Sequence, residues 1–299
     1  MRRPTHPGGE RGYLYVPRYV DDARRQAILA WLATLHPLWE RRYSTVRPLP
    51  PGRQQKQLLR PVYWLGNWQF ACLGYYEPPR GVRDRCVAAE PLPPPLAAIA
   101  ADVEQRVRRT FAPVDVPAGW CLNTCLVNFY GSRREGDRWE DVARVGEHRD
   151  HEPGPVASVS LGERALFQFV RRGGPGATSG AASARGGAPE RRWPGASAPV
   201  RTQWLDDGSL QVFGGPLWKD DLLHRVQRVE RKLELDLPPA IDGFRTRRIN
   251  FTFRFVPPAH VVPFARLGGQ AQADVRGYVE ELAAHSAHFR AALAGLAAR

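Results

Sequence analysis

The segment Arg248-Ile249-Asn250-Phe251-Thr252-Phe253-Arg254-Phe255 constrains the fold more than any other stretch of the chain. It alternates without a break. On an extended backbone Arg248, Asn250, Thr252 and Arg254 share one face, and Ile249, Phe251, Phe253 and Phe255 share the other. The apolar face must be buried. If the polar face lined an interior, two unpaired arginines would be prohibitive there. The segment therefore predicts either solvent or a bound dianion against its polar side. A dicarboxylate suits it, because a guanidinium binds a carboxylate through two charge-assisted hydrogen bonds.

Other short strands precede it. CLNTCLVNFY from Cys121, VASVSLG, RALFQFV and SLQVFGG are each bounded by Gly, Pro or charged turns. Such spacing predicts a mainly β chain (α+β), a sandwich or barrel and not a parallel α/β sheet. YLYVPRYV at 13–20 reads as an entering strand. Asp21 or Asp22 can cap the helix DARRQAILAWLATLH that follows. Residues 46–62 read as a Pro- and Arg-rich loop, 63–80 as an aromatic, glycine-broken lid, and 96–111 as helix. Residues 172–200 are dominated by Gly, Ala, Ser, Pro and Arg, which predicts a disordered insertion. One or two amphipathic helices close the chain. The expected division is an N-terminal extension with helices and lid (1–120), a core (121–257) and a C-terminal helical segment (258–299).

The 299 residues carry a net charge of +13, which favours polyanionic partners, nucleic acid first. The excess is discounted because only three of the 43 basic residues are lysine, a pattern that GC-rich coding also produces. No apolar run is long enough for a transmembrane helix, and the N-terminus lacks the apolar core of a secretory signal. Four cysteines make no disulfide framework. Cys121 and Cys125, on one strand, would lie roughly 13 Å apart, too far to bridge. A monomer in the cytoplasm, away from membranes, is the expectation.

The chemistry is carried by His148-Arg149-Asp150 and by His224. Residues i and i+2 of an extended segment point the same way, so His148 and Asp150 can present an imidazole and a carboxylate to one ion. Two histidines and a carboxylate form the facial triad of non-haem Fe(II) oxygenases, which leaves positions open for a co-substrate and O2. Alone, the pattern is weak.

Taken together, the motifs resemble the AlkB family of Fe(II)- and 2-oxoglutarate-dependent dioxygenases. They are Asn128-Phe129-Tyr130, His148-Arg149-Asp150, Ser158-Val159-Ser160-Leu161-Gly162, Phe167-Gln168-Phe169, Phe213-Gly214-Gly215, His224 and Arg248-Ile249-Asn250-Phe251-Thr252-Phe253-Arg254. All occur in the family's order and span about residues 63–256. The resemblance implies a double-stranded β-helix, or jelly roll. It implies that His148, Asp150 and His224 are catalytic and bind Fe(II), and that Arg248 pairs with the distal carboxylate of 2-oxoglutarate, helped by Asn250 and Tyr130. Arg254 and Asn128 would contact the carboxylate that chelates iron. Trp68-x5-Gly74-Tyr75 matches the family's nucleotide-recognition lid, and Glu152 matches an acidic residue facing the target base.

The implied reaction is oxidative dealkylation of N-alkylated bases in DNA or RNA, which releases formaldehyde, succinate and CO2. An oxygenase acting on a protein or small molecule is the alternative, and a catalytically silent binding module is a third. Two departures bear on substrate choice. The charged stretch between Tyr130 and His148 is longer than the family's turn, and the 172–200 insertion replaces a more ordered connection. Trp64, Trp68, Phe70, Tyr75 and Tyr76 suit either core packing or a lid that stacks on a base. Arg133, Arg134 and Arg138 suit either backbone phosphate or solvent.

Overall fold

The computed structural model describes residues 11–42, 56–76, 85–171, 198–229 and 231–297. The N-terminal third contributes β1 (Tyr13–Val16), α1 (Asp22–Leu32), β2 (Arg41–Arg42), β3 (Lys56–Gln57), β4 (Val62–Leu65), β5 (Asn67–Trp68), β6 (Cys86–Ala88) and α2 (Pro94–Thr110). The middle holds β7 (Thr124–Glu135), β8 (Arg138–Asp141), β9 (Val145–His148), β10 (Val156–Gly162) and β11 (Ala165–Arg171). After these come β12 (Pro199–Leu205), β13 (Leu210–Phe213), β14 (Leu222–Gln227), β15 (Phe244–Arg254), β16 (Val261–Val262), α3 (Gly269–His285) and α4 (Ala287–Ala297).

A major sheet runs in the order β1-β13-β10-β15-β7-β4, with β8 paired to the far end of β7. A minor sheet runs β12-β11-β14-β9. This antiparallel arrangement is the jelly roll. The alternation of β15 decides which way its faces turn. Ile249, Phe251, Phe253 and Phe255 join the large core with Val159 and Leu161 of β10 and Val127 and Phe129 of β7. Helices cover that core through Ile28 and Leu32 of α1, Val103 of α2, Val279 of α3 and Phe289 of α4. Each buried Phe of this kind contributes about 1.5–3 kcal/mol. A second cluster holds Phe167 and Phe169 of β11, Phe213 of β13 and Trp218.

Several elements follow the sequence closely. Asp21 caps α1 by accepting from the Arg24 N–H at 2.8 Å, which satisfies one of the helix's free donors. The C-terminal helical stretch is two helices that break at Ser286. All four cysteines are free, and Cys121 precedes β7 instead of lying on it.

Three differences matter for function. The charged stretch after Tyr130 is a hairpin, in which β7 continues to Glu135 and turns at Gly136 (φ 61°) into β8. The 121 boundary does not separate the sheets, since β1 and β4 from the N-terminal part form the two ends of the major sheet's strand order. Residues 199 and 200 begin β12, and the rest of the low-complexity stretch lies almost wholly outside the described residues. Among the described residues no helix is long and apolar enough to cross a membrane.

One irregularity shapes β15. Thr246 pairs with Gly131 and Arg248 with Tyr130, so Arg247 is an extra, bulged residue. Gly131 permits the close approach, because a Cβ there would stand 1.8 Å from the Arg245 carbonyl oxygen. Beyond the bulge the polar residues of β15 face Asn128 and Tyr130 of β7 and Ser158 and Ser160 of β10.

Candidate active site

His148 ends β9, the edge strand of the minor sheet, and His224 sits opposite it on β14. The register puts the two imidazoles 4.3 Å apart between ring centroids. Asp150 follows two residues after His148, and its Oδ2 is 3.5 Å from His224 Nε2. One ligand atom from each of the three lies within 4.8 Å of the others, the only such group of His, Cys, Asp or Glu among the described residues. The His148 Nδ1–H donates to the Gly146 carbonyl at 2.8 Å, which leaves Nε2 to face an ion.

Electrostatics favour the ligating forms. Burial lowers the pKa of His148, and of His224 more strongly, so both imidazoles are held neutral. Burial alone would raise the Asp150 carboxyl. The Arg254 guanidinium, with Lys219 behind it, outweighs it and keeps the group ionised. Arg254 donates to Asp150 Oδ1 from Nε at 2.9 Å and Nη2 at 2.6 Å. With Oδ1 taken, Oδ2 remains on the histidine side. Two neutral imidazoles and one carboxylate oxygen on converging elements fit Fe(II), with coordination positions left for further ligands.

A strip of polar groups runs along β15 from this point. Arg248, 3% exposed, donates from Nη2 to Ser160 Oγ at 3.0 Å and to Asn250 Oδ1 at 2.8 Å. Asn250 Nδ2 donates to Thr252 Oγ1. Arg248 Nε and Nη1 are buried without a partner. Its guanidinium lies 4.8 Å from the Tyr130 ring centroid. A buried, half-bonded guanidinium among neutral oxygens fits one carboxylate of 2-oxoglutarate, so the residues present suit the co-substrate as well as the metal.

The expected residues divide. Asn128, Tyr130, Arg248 and Asn250 are brought together, and His148, Asp150 and His224 are brought together. Arg254, expected to contact the keto acid's chelating carboxylate, donates to Asp150 and lies 3.5 Å from Glu152, and its buried Nη1 has no partner. Glu152, expected to face a base, is 5% exposed. It accepts from Gln69 Nε2 at 3.1 Å, and its backbone oxygen accepts from Lys219 Nζ at 2.7 Å.

Trp68, expected on a lid, is fully buried. It stacks on Phe70, and its indole N–H donates to Glu40 at 2.6 Å, so it packs the core. Trp64, Phe70 and Tyr76 are buried as well, whereas Tyr75 is 43% exposed. Arg133, Arg134 and Arg138 lie on the β7–β8 hairpin, where Arg133 pairs with Glu135.

Sequence reasoning missed three neighbours. Gln69 and Lys219 hold Glu152. Arg60 donates from Nε to Asn128 Oδ1 at 2.7 Å. Their types are ordinary, and no spacing rule singles them out. A cleft of about 770 Å³ opens beside the site, lined among others by Arg11, Arg149, Asp150, Glu152 and Lys219.

No curated protein matches the chain. Similar solved structures include OsALKBH1, 19% identical, covering 82% of this chain and 99% of that one at a TM-score of 0.45. Escherichia coli YcfD is 10% identical, covering 96% of this chain and 68% of that one at 0.34. A second YcfD structure, described as a ribosomal oxygenase in complex with cobalt and succinic acid, is 11% identical, covering 94% and 66% at 0.30. The 2OG-Fe(II) oxygenase superfamily model matches residues 12–254, which takes in both sheets and every residue of the triad. The chain therefore belongs to the 2OG-Fe(II) oxygenase superfamily, and is a dioxygenase that works with Fe(II), 2-oxoglutarate and O2.

Proposed function

We propose that this dioxygenase removes N-alkyl groups from bases in nucleic acid, as an AlkB-like demethylase. The observation that carries the reading is the assembled strip. The Arg248-x-Asn250-x-x-x-Arg254 strand faces Asn128 and Tyr130 on one neighbour and Ser158 and Ser160 on the other, at the edge of the His148–Asp150–His224 cluster. These residues come from five of the seven motifs by which the sequence resembles the AlkB family. The net charge of +13 favours a polyanionic substrate.

In this reading His148, His224 and Asp150 Oδ2 hold Fe(II), while Arg254 keeps Oδ1 turned away. Arg248 receives the distal carboxylate of 2-oxoglutarate, with Asn250 and Tyr130 beside it, and Asn128 lies toward the keto acid's other end. Bound together, metal, 2-oxoglutarate and O2 supply the oxidation of a substrate C–H bond, with succinate and CO2 as co-products. On an N-methyl base the hydroxymethyl product releases formaldehyde and restores the base. The protein orients these partners and excludes water.

A second reading, an oxygenase for a protein or small molecule, draws on one observation. Trp68 is in the core and Glu152 is beside Arg254, which leaves Tyr75 as the exposed member of the expected base-facing set. One assay decides between the two. Formaldehyde release is measured across methylated DNA and RNA oligonucleotides with Fe(II) and 2-oxoglutarate. Release from any of them supports the demethylase. Turnover of 2-oxoglutarate with no formaldehyde from the whole panel supports the second reading.

A further inference from the structure

Arg60 comes from the N-terminal part of the chain, yet its side chain reaches Asn128 of β7. The path is fixed by backbone bonds. Val62 of β4 pairs with Asn128 of β7, and the Phe129 N–H donates to the Pro61 carbonyl at 3.2 Å. Arg60 is thereby held beside Asn128 and Tyr130, which are 3% and 4% exposed. Its guanidinium lies 5.2 Å from the centroid of the Tyr130 ring, the same ring that Arg248 approaches at 4.8 Å. One phenol ring thus has two guanidinium groups against it.

We propose that Arg60 is a positioning residue of the 2-oxoglutarate site, fixing the Asn128 amide and joining Arg248 on Tyr130 so that the pocket selects a dianion. Two features support this. The Arg60 Nε–H occupies Asn128 Oδ1, which leaves the amide NH2 as the group to donate to a ligand. Charge adds the second. Arg254 is answered by Asp150 and Glu152. Among the described residues no carboxylate lies within ion-pair distance of Arg60 or Arg248. The positive charges of Arg60 and Arg248 therefore border the pocket. A buried guanidinium with a second, half-buried one beside it favours a ligand that carries two negative charges.

The inference rests on the co-substrate of the superfamily and not on the identity of the oxidised substrate, so it stands or falls apart from the demethylase reading. The test is 2-oxoglutarate binding to the full-length protein loaded with Mn(II), followed by titration calorimetry. Arg60→Met should weaken binding about tenfold, the size of one charged hydrogen bond. In an Asn128→Ala background the same substitution should cost less than half of that factor, because the residue it positions is gone. A Kd unchanged by Arg60→Met overturns the proposal, and an equal loss in both backgrounds overturns positioning through Asn128. Should Arg60→Met disturb folding, seen as a lowered melting temperature, Arg60→Lys replaces it. Weaker binding supports the proposal, and wild-type affinity overturns it.

Discussion

Arg247 and Arg248 sit side by side on β15, 5% and 3% exposed, and the chain treats them in opposite ways. The bulge turns Arg247 toward Glu163, which accepts from its Nε at 3.1 Å, and toward Asp141, which accepts from Nη2 at 3.1 Å, with Ser132 as a third partner. Arg248 donates to the neutral oxygens of Ser160 and Asn250, lies over the Tyr130 ring, and keeps Nε and Nη1 without a partner. A buried ion whose counter-charge is built in belongs to the architecture. A buried ion left half-bonded is unfavourable until something else arrives. The same contrast separates the metal end of the strip, where Arg254 is matched by carboxylates, from the end beneath Arg248, where the ligand must bring them.

The largest effect expected is from Arg247→Met, which strips Glu163 of its cation. It should cost about 3–5 kcal/mol of stability in urea denaturation. Arg248→Met should leave the stability of the ligand-free protein unchanged or higher, because it removes an unanswered charge. Its loss appears in 2-oxoglutarate affinity, about 2–5 kcal/mol by calorimetry. Equal stability losses in the two variants would erase the distinction. Arg254→Gln should lower metal affinity about 10–100-fold in competition with a chelator, as loss of a ligand's orienting partner does.

The smallest effect concerns the mirror case, Glu40. This buried carboxylate is answered only by the Ala71 N–H and the Trp68 indole, and burial raises its pKa from 4.5 to about 7. The folded state therefore holds the proton more tightly than the unfolded one. Its charging penalty develops as pH rises from about 4.5 to 7 and is absent at lower pH. Glu40→Gln should flatten that fall, by on the order of 1 kcal/mol between pH 5 and 7.5. Parallel stability curves for wild type and variant would show that Glu40 titrates normally.

The legible features were those carried by local spacing. Alternation fixed the faces of β15, and the i, i+2 spacing of His148 and Asp150 needed no knowledge of the rest of the chain. The features that escaped depend on distant partners. Trp68 belongs to the core because Glu40 takes its N–H and Phe289 of α4 packs against its ring, and neither is visible from a glycine-broken aromatic run. Glu152 turns to Arg254 and Gln69, which come from two other parts of the fold. Arg60 stood among many arginines in a stretch with no period. The Tyr130–His148 stretch concealed a hairpin because both faces of its tip are polar, so no alternation marks it.

The position of β1 has a consequence for how the molecule is made. Its hydrogen-bonding neighbour is β13, so Tyr13 pairs with Phe213. On a ribosome β1 emerges well before its partner and waits, unzipped, until β13 has followed it. Closure over so long a loop is slow, and intermediates with bare strand edges are prone to association. The major sheet is thus complete only once β13 has joined β1, and β1 is the latch.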